Sequence, residues 1–513
     1  MIHINKKQII YFFTGCMAIF FMACNSKIEK EQEQEQELHN SLIGYESKYW
    51  YKRSLAHVLL NRMESEKNQV LWGTTYHTAA PVPLGSVGPA KYTRKLQGII
   101  QNDSLGRVLK SAVSDGINVV LVIGDGMGNM HMALPIYKRY AENNKKQTYF
   151  EKIMSEGSCG YMHTGTARGV VTGSAASGTA IASGTKTMMN MVGVDPNGNP
   201  LLSALDCAKQ SGYYTAVVSD AGITDATPAA FYAHSVNRDL ESDIALQLAQ
   251  SNKVDLILGG GAGQFIPQNS SFSDYYTGTD YPEFTSSRND NLNLFKIFEE
   301  QGYQLCFTVQ ELKNCSANRI VGLFDGGGLK PAVEYRANQT FPTISQLADK
   351  AMKVTSRQKQ PSFTMIECAR IDWEAHDNDM VSVYKAVEEM NNILEVAYAR
   401  YHKDPKHTLL IFTADHETGG LEIAYKDVEK DQGESFQLPS GDTYTNHTYP
   451  LFYEQFLKEL EGQDKTISSI LSISENAAEL QNNLLKHAGI KLNTEEAEML
   501  FYAKHDYKKY KLE

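Results

Sequence analysis

A basic surplus is the first thing this sequence lacks. Lys and Arg together number 49 against 60 Asp and Glu, a formal net charge of -11, whereas nucleic-acid binders carry positive charge to neutralise phosphates. No nucleic acid is expected as a specific partner. Small anionic substrates stay open, because bound cations or single arginines reverse the field locally. Cysteine is scarce as well: seven in 513 residues, with no Cys-x-x-Cys pair, which excludes a zinc ribbon and dictates no disulfide framework. Cys16 and Cys24 lie in the N-terminal segment. Of Cys159, Cys207, Cys306, Cys315 and Cys368, only Cys306 and Cys315 are close enough to suggest a pair in an oxidising compartment. Internal repeats are missing, and the apolar run from Ile9 to Ala23 is short for a membrane span.

What the N-terminus does contain is a targeting pattern. Lys6 and Lys7 precede that apolar run, as the n-region and h-region of a secretory signal do. The run ends in Phe21-Met22-Ala23-Cys24, which looks like the lipobox of bacterial lipoproteins, with Cys24 as the lipidated residue. Residues 1–24 are therefore expected to be a lipoprotein signal peptide, and 25–40, rich in Glu, Gln and Lys, a polar tether. The chain is expected to be exported and anchored to the bacterial envelope, at the periplasm, outer membrane or cell surface. The alternatives, an ordinary signal or an uncleaved anchor, also export it.

Residues 41–513 read as one domain with insertions near 270–291 and 426–445. Apolar runs at Asn118–Gly124, Tyr214–Ser219, Val254–Leu258, Ile320–Phe324, Ser362–Glu367 and Thr408–Thr413 alternate with longer amphipathic stretches. This pattern predicts an α/β fold, a doubly wound and mostly parallel sheet flanked by helices. Ligands of such sheets bind beyond the carboxyl ends of the strands. Leu55, Val58, Leu59 and Met63 recur at helical spacing, and the chain after Tyr449 reads as helical.

The strand ends hold the chemistry. Asp125 sits in Gly124-Asp125-Gly126-Met127-Gly128, where backbone can approach a ligand closely. Ser174 opens a small-residue stretch at which a loop enters a helix, whose free N–H groups favour an alkoxide and a phosphate. Asp372 and His376, four apart, can share a metal. Asp415 and His416 are adjacent, so both reach one ion only from an irregular loop, which Gly419 and Gly420 permit. Oxygen and nitrogen donors without cysteine suit zinc in an open catalytic site, and oxygen-rich sets suit magnesium. Arg238 could hold two phosphoryl oxygens bidentately. Taken singly, each has a bland reading: Asp-Gly is a common turn, small-residue helices pack tightly, and isolated arginines are solvated.

Taken in order, Asp125 to Gly128, Thr172 to Ala180, Asp225 to Arg238, Glu367 to His376, Asp415-His416 and a late His447-Thr448 resemble the alkaline phosphatase family over roughly Val119 to His447. The resemblance implies that Ser174 is the phosphorylated nucleophile and Arg238 the phosphate clamp. It implies two zinc ions, one held by Asp372, His376 and His447, the other by Asp125, Asp415 and His416. Asp125, Thr227 and Glu367 match a magnesium site, with Asp225 at its water shell. Small phosphomonoesters are the implied substrates, hydrolysed with broad specificity, and a homodimer is the implied assembly.

Two positions depart from the family pattern. Gly173 stands where many bacterial members have Asp before the serine, so Arg238 is expected to lack a restraining partner, to move more freely and to release product faster. Trp373 cannot lend positive charge to the phosphate. A phosphodiesterase of the same superfamily is the nearest rival, disfavoured by the presence of Thr227, Glu367 and Arg238. A sulfatase would need Pro and Arg after its nucleophile, which Ser174-Ala175-Ala176-Ser177 lacks. An inactive surface-binding lipoprotein is disfavoured because every catalytic position holds a competent residue.

Overall fold

Ten strands form the central sheet of the computed structural model, which describes residues 70–509 apart from 279, 337–338, 425, 428–433, 447 and 450–452. The signal peptide, the tether and the Leu55–Met63 stretch thus lie outside the described residues, as does His447. The elements below belong to one structural unit, Leu59–Tyr502. In chain order the strands are β1 (Val82–Val87), β2 (Gly98–Gln101), β3 (Asn118–Gly124), β4 (Ser158–His163), β5 (Tyr214–Gly222), β6 (Leu256–Gly260), β7 (Gln304–Cys306), β8 (Ile320–Leu323), β9 (Ser362–Cys368) and β10 (Thr408–Thr413). Their spatial order is β2-β4-β1-β10-β3-β9-β5-β6-β8-β7.

The six expected strands occupy the middle of this sheet and most of one wing, and they pair in parallel. β3 and β9 are buried along nearly their whole length, which is why they read as unbroken apolar runs. β1 is the antiparallel member, set between β10 and β4. Pro83 and Gly85 disguise it in the sequence, yet Gly85 is required: a Cβ there would lie 2.3 Å from the Phe412 ring. β4 alternates buried and exposed residues, and β7 has only three residues; neither gives an apolar run.

Helices α1 (Asn102–Ser114) and α2 (Ser174–Ser183) pack together, and α1 lies against β3. α3 (Ile344–Thr355) packs on β5, and α5 (Met380–Lys403) on β10; α4 (Arg370–His376) follows β9 directly. Every residue of α2 is buried. Its small side chains let α1 approach so closely that a Cβ on Gly106 would meet Ala180 O at 2.7 Å.

The stretch expected as a polar insertion, 270–291, is anchored by aromatics. Phe272 is 1% exposed and touches the rings of Tyr276, Tyr281, Phe284, Phe295 and Phe307. In the stretch expected at 426–445 and one residue beyond it, Glu434–Gln437 and Thr443–Asn446 form an antiparallel hairpin. Helices follow at Tyr453–Glu461, Ile467–Ile473 and Ala477–Ala488. Cys306 and Cys315 are free thiols, and burial, with Cys315 nearby, pushes the Cys306 thiol up.

Candidate metal and phosphate centre

The C-terminal ends of β3, β5, β9 and β10 converge, and each delivers a carboxylate. Asp125 follows β3 immediately. Its Oδ2 accepts a hydrogen bond from Thr227 Oγ1 at 3.0 Å, while its Oδ1 is buried without a hydrogen-bond partner. Asp415, just beyond β10, has the same asymmetry. Backbone N–H groups of Gly126 (3.2 Å) and His416 (2.9 Å) donate to its Oδ1, and its Oδ2 is buried and unsatisfied. Both orphaned oxygens face one atom, His416 Nε2, at 3.4 Å from Asp125 Oδ1 and 3.3 Å from Asp415 Oδ2.

That arrangement is costly without a cation, since buried charged oxygens need compensation. Burial, and then the neighbouring Asp415 and Asp372, push the Asp125 carboxyl well above the usual range. Asp415 is pushed up by burial and Asp372, and Glu367 by burial, Asp125 and Asp225. Burial, reinforced by His77 and Arg238, holds His416 well below its ordinary value. A neutral imidazole is the form that ligates metal, and carboxyls crowded enough to hold protons would give them up to a dication. The residues therefore fit dications.

Two triads gather donor atoms within 4.8 Å of one another: Asp125, Asp372 and His416, and His77, Asp372 and His376. Helix α4 aligns Asp372 and His376 on one face, with His376 Nε2 at 3.2 Å from Asp372 Oδ2. The turn from β9 into α4 is held by Asp220, whose Oδ1 accepts the Ala369 and Arg370 N–H groups. Thr418 ties the triads together: its Oγ1 donates to Asp372 Oδ1 and lies 3.2 Å from His416 Nδ1. Deeper in, Thr227 and Glu367 flank Asp125; Ser219 Oγ donates to Glu367 Oε2, and Asp225 adds a further negative charge nearby.

Ser174, 2% exposed, is the first residue of α2, and its Oγ lies 3.3 Å from His416 Nε2. The helix is latched to the neighbouring motif by Ser177 Oγ, which donates to Asp415 O at 2.6 Å. Arg238 donates to Asp225 Oδ1. This corrects the expectation of an unrestrained guanidinium: a partner is absent at Gly173, but Asp225 takes its place. Trp373 packs against Gly328 and beneath the Arg370 guanidinium, 4.6 Å from the ring centroid.

The structure thus brings together Asp125, Ser174, Asp225, Thr227, Arg238, Glu367, Asp372, His376, Asp415 and His416; the expected ligand His447 lies outside the described residues. Sequence reasoning missed His77, Asp220 and the part played by Thr418. Thr418 stood inside a quoted motif, and Asp220 at the end of a quoted strand. His77 lies ahead of the matched motifs, in Tyr76-His77-Thr78, where the local signal is a histidine followed by a threonine.

A family model described as "Alkaline phosphatase" matches residues 117–496. Alkaline phosphatase 4 of Bacillus subtilis is 36% identical over 316 residues, 60% of this chain and 62% of that protein. Alkaline phosphatase 3 of the same organism is 29% identical over 352 residues, 67% and 70% of the two chains. The matched stretch thus spans somewhat less than two thirds of the first relative. Among solved structures, Thermus thermophilus alkaline phosphatase superposes with a TM-score of 0.61 at 23% identity, over 76% of each chain, a likeness of fold.

Proposed function

The chain belongs to the alkaline phosphatase family, and on that premise we propose that it is an exported phosphomonoesterase acting through a phosphoserine on Ser174, with two zinc ions and one magnesium ion. The observation that carries this reading is the pair of orphaned buried oxygens, Asp125 Oδ1 and Asp415 Oδ2, converging on His416 Nε2 beside the Ser174 hydroxyl. Asp125, Asp415 and His416 would hold one zinc, Asp372 and His376 the other, and Asp125, Thr227 and Glu367 the magnesium. When bound, these dications supply Lewis acidity to phosphoryl oxygens and ease ionisation of hydroxyl groups.

The protein's own groups do the rest. Ser174 Oγ, at a helix N-terminus, attacks phosphorus, so that a bond to Oγ forms as the bond to the leaving alcohol breaks. Neighbouring N–H groups of α2 favour the negative charge of the phosphoryl group. Arg238 orients that group, with Asp225 orienting Arg238. Water then attacks the phosphoserine and frees phosphate and Ser174. Metal in place of a shaped acid would stabilise the leaving group, so specificity among alcohols is expected to be broad.

The test is turnover of an aryl phosphate beside its methyl diester, in wild type and Ser174→Ala. We expect the monoester to have the higher kcat/KM and the variant to lose about 1,000-fold or more. A faster diester reaction would favour the phosphodiesterase reading, and an undiminished variant would remove the serine from the mechanism. Export and lipidation rest on the sequence of residues 1–24; Cys24→Ala should release the protein from the membrane fraction, and retention there would defeat the anchor.

A further inference from the structure

We propose that His77 is a protein ligand of the metal ion held by Asp372 and His376. The inference rests on the metallophosphatase reading above and extends it to a segment outside the sequence motifs. His77 comes to the site by strand pairing. His77–Thr78 lies antiparallel to Glu417–Thr418, with His77 opposite Thr418 and Thr78 opposite Glu417. Hydrogen bonds of Gly73 and Thr74 to Gly420 and Gly419 continue that pairing. The segment is stitched to the loop that carries Asp415 and His416.

The hydrogen bonds of the two imidazoles fix where their lone pairs point. His77 Nδ1 lies 2.8 Å from Thr172 O, and His376 Nδ1 lies 2.7 Å from Thr75 O. A carbonyl only accepts, so both Nδ1 atoms carry hydrogen, and the Nε2 of each neutral ring is the acceptor and ligand atom. Those Nε2 atoms are 3.1 Å apart. The Asp372 carboxylate lies beside both rings, turning one oxygen to each: Oδ1 is 3.6 Å from His77 Nε2 and Oδ2 3.2 Å from His376 Nε2.

Two imidazoles and a carboxylate turned toward one another so closely favour a positive centre among them. A shared proton would serve the edge between the two nitrogens alone, whereas a dication serves all three donors. Tetrahedral zinc, with bonds of roughly 2.0–2.1 Å, sets its donors about 3.3 Å apart, close to the edges observed. Both rings also have the outer hydrogen bond to a backbone carbonyl that metal-ligating histidines commonly make. The His77 ring is further held by stacking on His416, centroid to centroid 3.7 Å.

Gly173 lies beside this ring: a Cβ there would lie 3.6 Å from His77 Cε1, an ordinary contact, and 3.2 Å from Met189 Sδ. The residue that departs from the bacterial pattern adjoins the additional histidine.

The experiment is zinc counting on the full-length protein. Wild type, His77→Ala and His77→Gln are stripped, reloaded, assayed by elemental analysis and titrated against a chromophoric chelator. Circular dichroism reports folding, and glutamine keeps a donor for Thr172 O. We expect wild type to hold two tight zinc equivalents and each variant to hold one of them about 100-fold or more weakly. Added imidazole should restore that equivalent to His77→Ala, which a merely structural role would not predict. Diethyl pyrocarbonate footprinting of the wild type, read at His77 by mass spectrometry, needs no variant: zinc should protect the ring. Folded variants with unchanged zinc affinity, or equal labelling with and without zinc, would overturn the proposal. A wild type that takes up no zinc would overturn the metallophosphatase reading with it.

Discussion

Arg238 donates through Nη2 to Asp225 Oδ1, so the guanidinium that would meet phosphate is already tied to a carboxylate. Two opposed effects follow for product binding. Asp225 pre-orients the arginine, worth about 0.5–1.5 kcal/mol of side-chain ordering. It also sets a negative charge near the phosphate, and at a separation of about 6 Å and an effective dielectric of about 20 that repulsion is roughly 3 kcal/mol per unit charge. Repulsion wins. Asp225→Asn should therefore lower the inhibition constant of inorganic phosphate by about tenfold or more, measured by competition against an aryl phosphate. A raised constant would show that orientation dominates.

Thr418 is expected to matter as a positioning residue. Its hydroxyl serves Asp372 Oδ1 and His416 Nδ1 together, fixing one carboxylate and one imidazole of two different triads. Thr418→Val keeps the shape and removes the hydroxyl. Loss of such outer hydrogen bonds costs about 10–100-fold in metal affinity, and Thr418→Ser should restore it. Chelator competition measures this, and an undiminished affinity in the valine variant would dismiss the role.

How much of this was legible beforehand depended on the kind of signal. β3, β9 and β10 announced themselves because strands buried on both faces must be apolar throughout, and the ligands directly after them could be found by position. β1 was hidden because its close approach to Phe412 demands Gly85, a residue that argues against a strand. Ser174 was recognisable in company with the later motifs, although α2 is also the tight-packing helix that its alanines suggested. His77 was invisible because what brings it in is backbone pairing across more than 300 residues of sequence, which no local pattern encodes. The Arg238 partner is hidden for a similar reason: Gly173 removes a carboxylate next to the serine, while Asp225, which its motif presents as a metal-site residue, makes the contact.

Gly126 should prove intolerant of substitution for two separable reasons. Its φ is +71°, a left-handed conformation costing an L-residue about 1–2 kcal/mol, and a Cβ there would lie 2.8 Å from Asp372 Cα, Cβ and Oδ1. Gly116 shares the strain, with φ +77°, but a Cβ on it meets nothing within 4 Å. Gly116→Ala should thus lower stability by about 1 kcal/mol and leave zinc affinity alone. Gly126→Ala should lose stability and zinc affinity together, because Asp372 must shift. Denaturant melts with chelator titrations separate the two, and equal zinc affinity in both variants would show that the close approach is relieved elsewhere.

Removing metal should make stability depend steeply on pH. In the metal-free protein the carboxyls of Asp125, Asp415 and Glu367 are raised above their ordinary values, chiefly by burial. The folded state therefore binds more protons than the unfolded state between about pH 4, where free carboxyls titrate, and the raised folded values. With more protons bound when folded, stability falls as pH rises through that window. Protonated carboxyls suit the buried site, whereas ionised ones repel each other. Bound dications supply the compensating charge instead, so the loaded protein should lose little over the same range. Thermal melts from pH 5 to pH 8, with and without a chelator, should give a Tm that drops with pH for the stripped protein and a gap between the curves that widens upward. A gap that stayed constant with pH would mean that these carboxylates are compensated without metal, and would weaken the case that the orphaned oxygens of Asp125 and Asp415 are there to hold it.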